Sequence, residues 1–454
     1  MKEQGRGATR AAQKGGSKAP QVERFYGSRV RHRCNSGSAL PWHSLRMQRI
    51  EPPTPERTWV LAGTPEYRRI SLALFLAGFA TFSLLYCVQP VLPEIAAHFG
   101  LGAAGSSLAL SVSTGCLAVA IFLAGALSDG RDKRRLMFVS MALASLCNVA
   151  AALAPTWGTL LAARALEGIL LGGVPAVAMA YLADEIHPRG LGLSMGLYIG
   201  GTAFGGMAGR VGMSVLADHV GWQSAMATVG VLGLLAALGF VMLLPHGTGT
   251  AKPQGFVGLN IRHHLDAWRQ HVRTPGLPLL FFLGFALMGV FVSLFNYASF
   301  RLALPPYLLS QTQIGLVFCV YIFGIAASPI AGAMADKLGR APVLLGGVVV
   351  MALGVLITLA APLWWVIAGI AVLTFGFFVA HSVASGWVGQ LARQSKGHAS
   401  SLYLLAYYAG SSVLGTIGGW FWEWQRWPAL VGFSMLLLAT SVAVANYLQK
   451  RPAL

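Results

Sequence analysis

Long runs of apolar residues alternate along this chain with short loops that carry nearly all of its charge. A helical span needs about 20 apolar residues to cross about 30 Å of hydrocarbon. Twelve runs meet that requirement: 70–92, 105–127, 135–154, 157–181, 191–213 and 223–245, then 277–299, 312–334, 342–361, 364–388, 399–421 and 428–448. The stretch 246–276 is polar and basic, and it divides the runs six plus six. The pattern predicts an all-α integral membrane protein of twelve transmembrane helices in two six-helix bundles. The predicted parts are an N-terminal tail (1–69), a first bundle (70–245), a linker (246–276) and a second bundle with a short tail (277–454).

Composition excludes the soluble alternatives. Hydrophobic residues make up 55% of the chain and charged residues only 11%, against about 25% charged in a soluble domain. The 55 glycines rule out a leucine-rich soluble bundle, and they lack the three-residue period of collagen. A balance of 33 Lys and Arg against 15 Asp and Glu gives +18, which on its own suggests nucleic acid. Position argues otherwise. Half of that charge precedes the first span, and most of the rest sits in short loops, the pattern of topology signals. With the N-terminus inside, fifteen Lys and Arg beyond the tail fall on the cytoplasmic side; four (Arg164, Arg210, Arg301 and Arg426) fall in spans or outside. Both termini are therefore expected in the cytoplasm of a multi-pass inner-membrane protein. Residues 1–69 have no apolar core of a secretory signal, and the basic tail is expected to be disordered. Arg68-Arg69 reads as a positive-inside anchor. Of the five cysteines, four lie inside spans, and the odd number argues against a disulfide framework.

The halves repeat. Gly125-x3-Asp129 follows span 2 and Gly332-x3-Asp336 follows span 8, 207 positions later, the offset that also separates Gly190 from Gly397. A duplicated six-span unit is the mark of a transporter with its site at the repeat interface. The run Gly125-x3-Asp129 with Lys133 and Arg134, and its copy Gly332-x3-Asp336-Lys337-Leu-Gly339-Arg340, resemble the loop motif of the major facilitator superfamily. Gly130, Asp132 and Ala341 depart from it. Arg164-Ala-Leu-Glu167-Gly168 is similar to that family's span 4 element. Gly201-Thr202-Ala-Phe-Gly205-Gly206 is similar to the span 5 element of its proton-coupled exporters, with Thr202 in place of proline. The runs Tyr86-Cys-Val-Gln89-Pro90 and His381-Ser382-Val-Ala-Ser385 most resemble the YnfM-like branch, usually described as inner-membrane efflux proteins. The resemblance spans residues 70–448 and implies that the loop clusters latch the halves together in the outward-facing state.

Candidate residues follow. Arg164 and Glu167 are three apart, so they share a face of span 4, and charges at that depth normally mark a substrate or proton path. His381 is a histidine deep in span 10, and the intrinsic pKa of an imidazole, about 6.5, would suit a proton relay. Gln89, Asn296, Tyr403 and Tyr407 could hydrogen-bond a ligand. The ladders Gly192-x3-Gly196-x3-Gly200, Gly201-x3-Gly205-x3-Gly209 and Gly324-x3-Ser328-x3-Gly332, with Gly206, permit close helix approach; they read as sliding interfaces between the halves or as static packing. Arg210, near the outer end of span 5, reads as a snorkelling arginine. His263, His264, Asp266 and His271 cluster in the linker without a compelling metal pattern. No Gly-x4-Gly-Lys-(Ser/Thr) loop or His-Glu-x-x-His pair is present, which argues against an ATP-driven pump and an intramembrane enzyme. The expectation is a monomeric secondary transporter of a small molecule in the lipid bilayer. It would have no cofactor and no nucleic acid, and a proton gradient would drive it. Efflux by antiport is favoured over uptake by symport.

Overall fold

Within a bilayer an apolar run has no water for its backbone groups, so it satisfies them internally as a helix. The computed structural model describes residues 59–127, 132–245, 261–392 and 394–450, and these are helical apart from turns and a single bridge between Val60 and Ile186. In the first half, α1 (Pro65–Tyr86) gives way to a 3₁₀ turn and to α2 (Leu92–Phe99). Next come α3 (Ala103–Leu127), α4 (Lys133–Ala152), α5 (Trp157–Leu171), α6 (Gly173–Glu185) and α7 (Pro188–Leu243). A linker helix, α8 (Ile261–Arg273), precedes the second half: α9 (Leu277–Ala303), α10 (Gln311–Val317), α11 (Tyr321–Leu338), α12 (Arg340–Ile357), α13 (Leu363–Leu391) and α14 (Lys396–Gln449).

Among the described residues, ten helical stretches are long and apolar enough to cross a membrane, and two of them are double. α7 has 56 residues and α14 has 54; a straight helix of that length would run about 80 Å, more than twice the hydrocarbon thickness. Each folds back. α7 turns at Gly221, whose φ of 78° suits glycine, and α14 turns at Gln425 and Arg426. A Cβ on Gly201 would lie 2.4 Å from the Phe75 carbonyl oxygen, while one on Gly239 would lie 3.2 Å from Leu76. Both limbs of α7 thus meet the same turn of α1. Twelve crossings result, six on each side of α8.

The glycine ladder of α7 works inside the first half. Cβ atoms on Gly205 and Gly209 would fall 2.2 Å from the Phe79 carbonyl oxygen and 2.6 Å from the Ser83 Cα, so α1 and α7 are in backbone contact. The second half repeats the arrangement, with Gly410 against Phe285 of α9. This corrects the reading of these ladders as sliding surfaces between halves. Gly324 meets Phe378 of its own half, and a Cβ added to Gly192, Gly196, Gly200 or Gly332 would meet no atom within 4 Å. A second correction concerns the tail. Its last residues are ordered: Thr64 caps α1 by accepting from the Tyr67 N–H, Tyr67 donates to the Gly190 carbonyl, and Val60 pairs beside Ile186. α8 bridges the halves, its Trp268 stacked on Phe122 of α3 at 4.0 Å and its His264 2.9 Å from His398 of α14.

Candidate functional site

The two halves join through hydrogen bonds gathered at one end of the bundle. Ser412 Oγ of α14 donates to the Ser111 carbonyl of α3 at 2.7 Å, and Thr416 Oγ1 to Ser111 Oγ at 2.8 Å. Glu423 accepts from the Ala104 N–H at 2.9 Å. Asp218, at the turn of α7, accepts from Ser310 Oγ and from the Thr312 N–H, each at 3.1 Å. At the centre of this seam Gln89 Nε2 donates to Asn296 Oδ1 at 2.6 Å. Those two residues are 207 positions apart, the repeat offset, so equivalent positions of the two halves meet on the pseudo-two-fold axis.

Arg164 and Glu167 form a buried hub beside this seam. α1 breaks at Pro90, and a helix end leaves its last carbonyls without intrahelical partners. Arg164 takes them up, donating from Nη2 to the Leu85 carbonyl at 2.7 Å and from Nη1 to the Leu84 carbonyl at 3.3 Å. Its Nε donates to the Ala109 carbonyl at 2.9 Å, and Nη1 also reaches Asn148 Oδ1 at 3.3 Å. The ion pair to Glu167 Oε2 is 2.6 Å long, with both side chains fully buried. Glu167 Oε1 is buried without a hydrogen-bond partner. α1, α3, α4 and α5 of one half are therefore tied together through one guanidinium.

Arg210 corrects a further expectation. It does not snorkel: it is 1% exposed. Nε donates to Gln89 Oε1 at 2.5 Å and Nη1 to the Gly206 carbonyl at 2.6 Å. Its guanidinium lies over Tyr86 at 4.2 Å, and over Tyr321 at 4.8 Å and Phe318 at 5.5 Å from the opposite half. Among the described residues no carboxylate pairs with it. The sequence held one clue, an arginine four residues after Gly206 on the glycine-rich face of an apolar run.

On the second half, His381 accepts or donates through Nδ1 to the Tyr403 hydroxyl at 2.9 Å. Phe377 and Tyr407 flank its ring, at 5.6 Å and 4.6 Å. Phe377 stacks on Phe291 at 4.0 Å and Phe291 packs on Tyr321 at 5.6 Å, which links this aromatic group to the ring beneath Arg210. Gln89, Asn296 and Arg210 thus form one connected group, with His381, Tyr403 and Tyr407 nearby. Arg164 and Glu167 belong to a separate network in the first half.

The loop clusters sit at the opposite end. Asp129 lies outside the described residues, and Gly125 belongs to the last turns of α3. Lys133 pairs with Asp184, and Arg134 donates to the Val241 carbonyl, both within the first half. Asp336, Lys337 and Gly339 are exposed and Arg340 is half-buried. Among the described residues, the side chains of Asp336, Lys337 and Arg340 form no ion pair.

Comparison with known proteins identifies the family. The family model of the Major Facilitator Superfamily matches residues 74–301 and 286–454. The chain is 45% identical to the inner membrane transport protein YnfM of Escherichia coli, over 87% of this chain and 93% of that one. It is 42% identical to the uncharacterized MFS-type transporter YybF of Bacillus subtilis, over 87% and 96%. A bacterial homologue of the human lysosomal transporter Spinster, solved in an inward-facing and occupied conformation, superposes with a TM-score of 0.64 at 15% identity, over 86% of this chain and 96% of that one. The chain belongs to the major facilitator superfamily, and is a multi-pass membrane transporter of small molecules rather than an enzyme.

Proposed function

We propose that the chain is a proton-coupled efflux carrier of the inner membrane, working by alternating access. A secondary transporter draws on an ion gradient, and a proton needs a titratable group at depth. The observation that carries the reading is Glu167, fully buried, with one oxygen held by Arg164 and the other without a partner. Protonation would weaken the pair and free α5 to shift against α1 and α3; release would restore it. His381 is the alternative carrier.

The count of Lys and Arg supports cytoplasmic termini. On that orientation the seam through Gln89, Ser111 and Asp218 is the periplasmic end, and this is an inward-facing state. The second loop cluster suits that state: among the described residues Asp336, Lys337 and Arg340 form no ion pair, as expected of a cytoplasmic latch that is open. An inward-facing carrier accepts its substrate from the cytoplasm, as efflux requires.

The test has two stages. Growth of expressing and deleted cells across a compound panel identifies the substrate. Its flux is then measured in proteoliposomes with and without an imposed pH gradient. Glu167→Gln mimics the protonated acid, so it should bind substrate yet lose the acceleration by the gradient. A glutamine variant that keeps wild-type acceleration would make Glu167 a structural partner and move the role to His381. Reporter fusions at the C-terminus that score as periplasmic would reverse the orientation.

A further inference from the structure

An arginine buried at bilayer depth is expensive unless its charge is met. Arg164 is met by Glu167, but among the described residues Arg210 has dipoles and aromatic faces around it and no carboxylate partner. A guanidinium has five donors in a fixed fork, and two of them go to Gln89 Oε1 and the Gly206 carbonyl. Gln89 relays the polarity. It accepts from Arg210 and donates to Asn296 Oδ1, which leaves Asn296 Nδ2, beside Gly415, as the remaining donor. That Nδ2 is buried without a partner. Arg210 and Asn296 thus present positive charge and a free N–H₂ on either side of Gln89, where the halves meet. Tyr86 and Tyr321, one from each half, lie against the guanidinium.

We propose that the transported molecule is a small organic anion, its carboxylate or sulfonate received by Arg210 and Asn296 and its apolar or aromatic body lying against Tyr86 and Tyr321. This rests on the reading of the chain as a carrier with its site between the halves, and it names the substrate class. An anion meets the charge of Arg210 and the free donor of Asn296 together. A neutral or cationic substrate leaves one or both unmet. Because the two donors are linked by the Gln89–Asn296 bond across the seam, an anion spanning them would also sense whether the seam is closed.

The test measures heat stability of the purified full chain in detergent against matched compounds: phenylacetate and benzenesulfonate, the neutral phenylacetamide and benzenesulfonamide, and the cation benzylamine. The anions should raise the melting temperature in a saturable way, and the neutral and cationic partners should not. Arg210→Gln should weaken the anion's apparent affinity at least about ten-fold, the scale of one charged hydrogen bond. Arg210→Lys keeps the charge but not the fork, so its loss should be smaller. Asn296→Asp should fold and lose the anion effect, because it builds a carboxylate into the site. If Arg210 serves only to hold the seam, Asn296→Asp will leave the anion effect intact, and the proposal fails. Equal stabilisation by the amides, or none by the anions, also overturns it. The measurement uses no gradient, so it separates the two readings. Anion binding through Arg210 with flux indifferent to pH would overturn proton coupling alone. Gradient-driven movement of neutral or cationic compounds, unchanged by Arg210→Gln, would overturn the anion proposal alone.

Discussion

Arg164 and Arg210 are both essentially buried, both in the first half and both hydrogen-bonded to backbone carbonyls, yet their surroundings differ in kind. Arg164 has a carboxylate, three carbonyls and Asn148, all from its own half. Arg210 has one carbonyl, one amide and three rings, two of which belong to the other half. A charge satisfied within one half keeps its partners when the halves move against each other, and changes only when its own carboxylate takes up a proton. One whose partners are divided between two bodies changes its surroundings whenever the bodies move. The difference separates a pair that a proton can switch within one half from a group placed to sense substrate and conformation.

The largest effect should come from Arg164→Met. It leaves Glu167 buried without its cation and strips the carbonyls of Leu84, Leu85 and Ala109 of their donor. Breaking a buried pair costs about 3–5 kcal/mol, so folded protein recovered from the membrane, followed by size-exclusion profile, should fall sharply. Arg210→Met removes a charge that no carboxylate answers among the described residues, and should fold close to normally while failing to transport. If the two methionine variants are equally tolerated, the comparison breaks.

Next in size is the packing of α1 on α7. Gly205→Ala places a methyl 2.2 Å from the Phe79 carbonyl oxygen, and overpacking of that kind costs about 1–3 kcal/mol. Gly200→Ala, with open space around it, should leave the melting temperature unchanged. Equal effects would mean that α1 and α7 are free to separate within the half.

The smallest effect concerns the seam. Thr312, whose N–H donates to Asp218 at 3.1 Å, together with Ser310 holds the Asp218 carboxyl below the usual carboxylate range. The closed contact should therefore be fully present above the ordinary carboxyl value, and should weaken as pH falls through the lowered one. Cross-linking of cysteines placed across the Asp218–Ser310 seam, followed against pH, should show that loss. Asp218→Asn should abolish the dependence without preventing closure.

Much of the fold is legible because hydropathy is local. Each of the twelve runs and the polar break at 246–276 can be read without knowing any contact, and the 207-residue offset reveals the duplication. The Arg164–Glu167 pair is legible for the same reason, since a three-residue spacing on a helix fixes adjacency. Arg210 escapes such a reading, because its depth does not follow from its distance to the end of a span. The rings that cover it come from Phe318 and Tyr321, more than a hundred positions away. The glycine ladders are legible as surfaces of close approach, but not as to which helix they approach. Residues 59–69 look like tail because they precede the first long apolar run, although Val60 pairs beside Ile186 and Tyr67 bonds to Gly190 in the first turn of α7.

By itself the sequence determined which segments must be helices, how many cross, and that the second six repeat the first. Those follow from a rule that acts on each segment alone: apolar backbone in a bilayer must bond to itself. Only the tertiary structure decided which glycines meet which backbone, and that Gln89 meets its own counterpart Asn296 on the symmetry axis. It also decided that one buried arginine closes a network while the other stands at a seam. Lipid is as apolar as the helices, so hydrophobicity does not choose their partners; shape and hydrogen bonding do, and both exist only once the helices are assembled.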